Sequence, residues 1–238
     1  MANSIDGKLE LLTDKNSVLV LVDYQPSMFK SVSSGDKTII KNAAIGAAKA
    51  ASILGVPVVL SSINPKSLGD FIPEITKIFP NQEVFARKTP SFDAFEDERT
   101  GNAVKKLCRK KVVISGLWTS MCFAYTALHA LKEEYEVYGL IDADGDSTLD
   151  AHKYGIKRML QAGVIPITLE SLVSEWMHDW NNPKIDICPV GATCSILRRL
   201  MAPARWCLRA RSENITACDI SSLTIFYRAL SLKRSTNR

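Results

Sequence analysis

The stretch from Lys111 to Cys122, Lys-Val-Val-Ile-Ser-Gly-Leu-Trp-Thr-Ser-Met-Cys, sets a cysteine just past an apolar, β-branched run, where a strand would hand over to a helix. A thiol at the first turn of a helix faces unpaired backbone N–H groups and the positive end of the macrodipole, and both lower its pKa toward the reactive thiolate. Cys122 is therefore the leading nucleophile. Two more chemistry-bearing residues follow apolar runs in the same way: Asp23 in Leu-Val-Asp-Tyr-Gln and Lys88 in Phe-Ala-Arg-Lys-Thr-Pro. A carboxylate can take the thiol proton and a cation can hold thiolate and carboxylate in register, so Cys122, Asp23 and Lys88 form a candidate triad. Each also has an ordinary structural explanation. Cysteine is a small hydrophobe often buried for packing, an Asp after a strand often caps a turn, and a loop Lys is usually solvated.

The elements that would bring these three together can be read from the hydrophobic pattern. Apolar runs suited to buried parallel strands lie at Ser17 to Val22, Val56 to Ile63, Val84 to Arg87, Lys111 to Ser115, Glu136 to Ile141 and Val164 to Thr168. Helical candidates at about 37–54, 100–109, 121–134 and 151–162 fall between them. Gly55-Val56-Pro57 and Gly163-Val164-Ile165-Pro166 each read as a helix stop running straight into a strand. The alternation predicts a doubly wound α/β fold around a six-stranded parallel sheet. In such sheets the ligand crevice lies at the carboxyl ends of the strands, where Asp23, Lys88 and Cys122 all sit.

Composition narrows the function classes. With 238 residues and 46% hydrophobic content, the chain can bury one sizeable core and carry an extension. Residues 8–182 read as the domain and residues 187–238 as a basic, Cys-containing C-terminal extension. No run reaches the length of a membrane span and no leader is recognisable at the start, so the expectation is a cytoplasmic protein without membrane association. Six cysteines without CxxC pairs fit reduced thiols better than a disulfide framework or a zinc site, and Cys108, at the end of a helix, reads as packing. The net charge of +5 resides in the extension, where residues 188–238 hold nine basic and two acidic residues, while residues 1–187 hold 21 and 23. A basic tail without a binding motif does not support nucleic acid as a partner. With no GxGxxG or GxxxxGK[ST] loop, no nucleotide cofactor is expected.

Leu-Val-Asp-Tyr-Gln, Ser-Gly-Leu-Trp-Thr-Ser-Met-Cys-Phe and Asp142-Ala-Asp144-Gly, with His152 and Gln161-Ala-Gly163 downstream, resemble the isochorismatase-like cysteine hydrolases over residues 8–180. Phe92-Asp-Ala-Phe-Glu-Asp and Trp176-Met-His-Asp-Trp point to the branch similar to the bacterial YcaC hydrolases. The resemblance implies a three-layer α/β/α sandwich and a triad of Asp23 as general base, Lys88 as electrostatic partner and Cys122 as nucleophile. It also implies a cis peptide before Thr119, and an oxyanion hole around Trp118, Thr119, Met121 and Cys122. Arg87 and Lys88 are adjacent; counting back from Phe95 favours Lys88 and leaves a slip of one residue to Arg87 open.

Metal-dependent relatives place an Asp and two His after the second strand, whereas this chain reads Ser61-Ser-Ile-Asn-Pro-Lys-Ser-Leu-Gly there, so no metal is expected. His129, His152 and His178 fall late in the body, and His152 reads as structural or rim-forming. Relatives with the cysteine act on amides, imides or ureido compounds through a thioester. The resemblance therefore implies hydrolysis of a C–N bond in a small molecule, by a protein that forms homo-oligomers. Tyr24, Gln25, Arg87, Phe92 and Trp118 are the substrate-pocket candidates. A catalytically silent scaffold or binding protein of the same fold is the alternative, and a thiol redox sensor is disfavoured by the lack of a resolving cysteine in the motif.

Overall fold

The computed structural model describes residues 9–179 and 181–184; the expected C-terminal extension, residues 187–238, lies outside them. Six strands form one parallel sheet: β1 (Ser17–Val22), β2 (Val58–Ser62), β3 (Val84–Ala86), β4 (Lys111–Gly116), β5 (Glu136–Leu140) and β6 (Ile165–Ile167). Their order is β3-β2-β1-β4-β5-β6, which puts the reversal of direction between β1 and β4. Every residue of β1, β2 and β4 is buried, as expected of strands covered on both faces, and this is why they read as continuous apolar runs rather than alternating ones.

Helices cover the sheet to complete a three-layer sandwich. The longer ones are α1 (Lys37–Leu54), α2 (Glu98–Lys106), α3 (Ala124–Lys132), α4 (Leu149–Ala162) and α5 (Leu169–Met177). Asp36 caps α1 by accepting from Thr38 and Ile39 N–H groups, and Thr148 caps α4 by accepting from Ala151. Gly55 and Gly163 end these two helices in the left-handed region, the stops anticipated from sequence. The α5 helix and the single turns Pro26–Lys30, Pro65–Leu68 and Pro73–Thr76 were not among the sequence candidates. Between β4 and α3, the chain makes a π-helical turn at Thr119–Phe123, so the helix carrying Cys122 does not begin as a regular α-helix.

Candidate active site

Three strand ends deliver the site. β1 finishes at Val22, and Asp23, in the left-handed region at φ 59°, still donates its N–H to Ser61 O at 2.9 Å. That conformation is uncommon for a residue with a side chain and is the kind of local strain that collects at functional positions. Beyond β3, Arg87 extends the ladder by donating its N–H to Ser62 O at 2.9 Å. The π turn after β4 supplies Cys122, which is 1% exposed.

The Arg87 guanidinium donates through Nη2 to Asp23 Oδ2 at 2.6 Å and through Nη1 to Ser61 Oγ at 3.2 Å. Both side chains of the ion pair are fully buried. Lys88 does not join them: it is exposed, and its backbone N–H donates to Asp97 Oδ2 at 3.1 Å. The reason is the alternation of side chains along extended chain. Arg87 turns its side chain inward to Ser61 and Asp23, and the next residue must face the other way. The cation beside Asp23 is thus Arg87 rather than Lys88, the one-residue slip that the sequence left open.

Burial raises the Asp23 carboxyl above its ordinary value, and the Arg87 charge pulls it back. The Cys122 thiol interacts with the same carboxylate. Asp23 Oδ1 and Arg87 Nε, both buried, have no hydrogen-bond partner of full geometry among the described residues. Contrary to the helix-terminus expectation, the thiol is pushed up rather than down. Burial is the main cause and the negative Asp23 the next, while Arg87 and the Trp118 N–H act weakly in the opposite sense. The resting group is therefore a thiol beside a carboxyl group, not a free thiolate.

The turn around Cys122 differs from expectation in two details. The cis peptide joins Leu117 and Trp118, one bond earlier than the one before Thr119. The N–H groups of Thr119 and Met121 donate to Gly145 O at 3.0 Å and Trp118 O at 3.1 Å, so in this conformation two of the anticipated oxyanion donors are engaged within the protein. The pocket candidates also separate. Tyr24 is wholly buried, its hydroxyl donating to Ala143 O and paired with Ser115 Oγ, and Gln25 clamps Ile63 and Gly69 through its amide. Both are core residues whose polar ends are spent. Phe92 is half exposed, and Trp118 lies part-buried with its indole N–H donating to Met28 O. Cys108, expected in packing, is exposed.

Sequence reasoning missed a second set of contacts on the same turn. Thr119 Oγ1 lies 2.8 Å from His152 Nδ1, and Ser120 N–H donates to Asp146 Oδ2 at 2.8 Å. A Cβ on Gly155 would come within 2.9 Å of Ser120 Cα, so α4 rests directly against the backbone of the turn. The signal present in the sequence was the run of acids Asp142-Ala-Asp144-Gly-Asp146 set just after a buried strand.

The Isochorismatase domain matches residues 17–171. The chain belongs to the isochorismatase family. Among its relatives, "Probable hydrolase YcaC" of Escherichia coli (strain K12) is 29% identical over 171 residues, spanning 71% of this chain and 82% of that protein. "Secreted isochorismatase effector Isc1" of Phytophthora sojae (strain P6497) is 30% identical over 189 residues, spanning 76% and 87%. The solved Escherichia coli YcaC gene product, described as an octameric hydrolase of unknown specificity, superposes with a TM-score of 0.71 at 25% identity, over 87% of this chain and 98% of that one. YcaC from Pseudomonas aeruginosa shares the fold with a TM-score of 0.75 at 24% identity, over 81% and 98%. These relatives set the chain in the YcaC-like branch of isochorismatase-family hydrolases.

Proposed function

We propose that this member of the family is a cysteine hydrolase that cleaves a C–N bond in a small amide, imide or ureido compound. The observation that carries the reading is the meeting of Cys122, Asp23 and Arg87 from the ends of β4, β1 and β3 in one buried cluster. In the proposed cycle Asp23 takes the thiol proton as Cys122 Sγ bonds to the substrate carbonyl carbon. The tetrahedral intermediate expels the amine, which leaves with the proton held by Asp23. Water, deprotonated by Asp23, then attacks the thioester and releases the acid and the thiol. Arg87 serves throughout as a fixed positive charge that keeps Asp23 ionised and oriented. Unlike a lysine, its guanidinium does not deprotonate in a protein, so it plays no part in proton transfer. A homo-oligomer is part of the proposal, in keeping with the octameric Escherichia coli YcaC.

The closure of the thiol, at 1% exposure, favours a second reading, a catalytically silent fold-mate acting as a scaffold. Incubation with a panel of primary amides, imides and ureido compounds, followed by acid quench and peptide mass spectrometry, separates the two. The hydrolase reading expects an acyl adduct on Cys122 with at least one class, and product formation that Cys122→Ala abolishes. Product formation that survives Cys122→Ala contradicts the mechanism. A Cys122 that takes up neither acyl groups nor alkylating reagents, while exposed Cys108 is labelled, supports the scaffold.

A further inference from the structure

The loop between β5 and α4 holds a buried acid with no evident task. Asp144 is 2% exposed, and neither carboxyl oxygen makes a full hydrogen bond among the described residues. A buried polar group left this way is costly unless something nearby gives it a role. What lies nearby is the foot of the Cys122 turn. His152 Nδ1 is 3.6 Å from Asp144 Oδ1 and 2.8 Å from Thr119 Oγ1, and the Thr119 hydroxyl also interacts with Asp144. Thr119 opens the π turn, its backbone N–H is fixed to Gly145 next door to Asp144, and the backbone of Trp118, the residue before it, interacts with the Cys122 thiol.

The geometry points to Asp144 and His152 as positioning residues for Cys122, acting through the hydroxyl of Thr119. The inference rests on the reading of Cys122 as the nucleophile and extends it. Asp144 also faces Asp142, Asp146 and the Tyr24 hydroxyl, and no Lys or Arg is among its charged neighbours in the described residues. That company favours its protonated form: burial raises its pKa well above the ordinary value and the two acids add to the rise, while the Thr119 hydroxyl opposes it. A carboxyl in its protonated form can donate as well as accept. His152, half-buried and facing Asp144 and Asp146, is held below its usual pKa by burial and is neutral at pH 7. Protonating it turns Nδ1 into an obligate donor and fixes the direction of the bond to Thr119. The turn that carries the nucleophile thus has a polar support reaching from buried Asp144 to a histidine at the edge of solvent.

The test uses the full chain and iodoacetamide alkylation of Cys122, read by peptide mass spectrometry between pH 5 and 9, with a thermal melt for each variant. Thr119→Val, His152→Ala and Asp144→Ala are expected to slow alkylation by about tenfold or more, as befits a displaced nucleophile. Thr119→Ser and Asp144→Asn, which retain the hydroxyl and a neutral hydrogen-bonding group, should recover wild-type rates. The wild-type profile should show an inflection on the acid side of pH 6.5 that His152→Ala removes. Folded Thr119→Val and His152→Ala variants with wild-type rates and profiles, alongside an altered Asp23→Asn control, overturn the positioning role and leave the nucleophile intact. An Asp23→Asn control that matches wild type as well overturns both. Should Thr119→Val fail to fold, Asp144→Asn decides: a rate as slow as that of Asp144→Ala contradicts support by a neutral hydrogen-bonding group.

Discussion

Asp23 and Asp144 are hidden from solvent to nearly the same degree and both bear on the Cys122 turn, yet their surroundings differ. Asp23 has a guanidinium 2.6 Å away, whereas Asp144 has two further carboxyls and a neutral imidazole. Burial raises both acids, and a full opposing charge acts on Asp23 alone. An acid that shares its cavity with a fixed cation can ionise and take a proton from a thiol. One that shares it with other acids is biased toward its protonated form, which suits it to support structure. The role of a buried aspartate is therefore set by its neighbours rather than by burial itself.

Removing the cation breaks this contrast most severely. Arg87→Met leaves Asp23 buried without its partner, and loss of one member of a buried pair costs on the order of 3 kcal/mol or more. A urea titration should show that loss, and Cys122 alkylation should fall with it because Asp23 would then keep its proton. Next in size, Gly155→Ala drives a methyl group into the backbone at Ser120, where its Cβ would sit 2.9 Å from Cα. Overpacking of this kind costs about 1–3 kcal/mol, and Cys122 labelling should change in step with the melting temperature.

Asp144→Asn gives a smaller effect that depends on pH. The folded-state pKa of Asp144 lies above its unfolded value of about 3.9. Its contribution to stability is thus complete below that unfolded value and declines as pH rises through the folded one. The variant should therefore gain on the wild type as pH increases, and melts at pH 4, 6 and 8 would show the gap widening. A constant gap means that Asp144 ionises as freely in the fold as in the open chain. Smallest of all, Lys88→Met should alter stability by less than about 0.5 kcal/mol and leave Cys122 labelling unchanged, because Lys88 is exposed and away from Asp23.

Much of the fold was legible because buried parallel strands leave a strong mark: β1 and α1 coincide with their sequence candidates, and the other strands differ only at their ends. Single turns such as Pro26–Lys30 are too short to show a helical period. The cluster that makes up the candidate site was legible to within one residue. Cys122 and Asp23 follow strands with strong apolar runs, but β3 has only three residues, all half-exposed, so its end does not announce which of Arg87 and Lys88 turns inward. The pKa of Cys122 went the other way because a terminus effect near a half-unit of charge does not match full burial beside a carboxylate. The link from Asp144 to Thr119 joins distant parts of the chain through side chains, and no local periodicity encodes it.

Deprotonation of a resting Cys122 thiol by Asp23 is the step on which the proposed hydrolase depends. Its most direct test is the pH dependence of Cys122 alkylation in the wild type and in Asp23→Asn, measured in parallel from pH 6 to 9. With an internal base and a thiol that stays protonated, the wild-type rate should be nearly flat over this range. In Asp23→Asn the proton must leave by ordinary ionisation, and the rate should climb about tenfold per pH unit below the thiol pKa. Superimposable profiles, both rising like that of a simple thiol, would contradict the account.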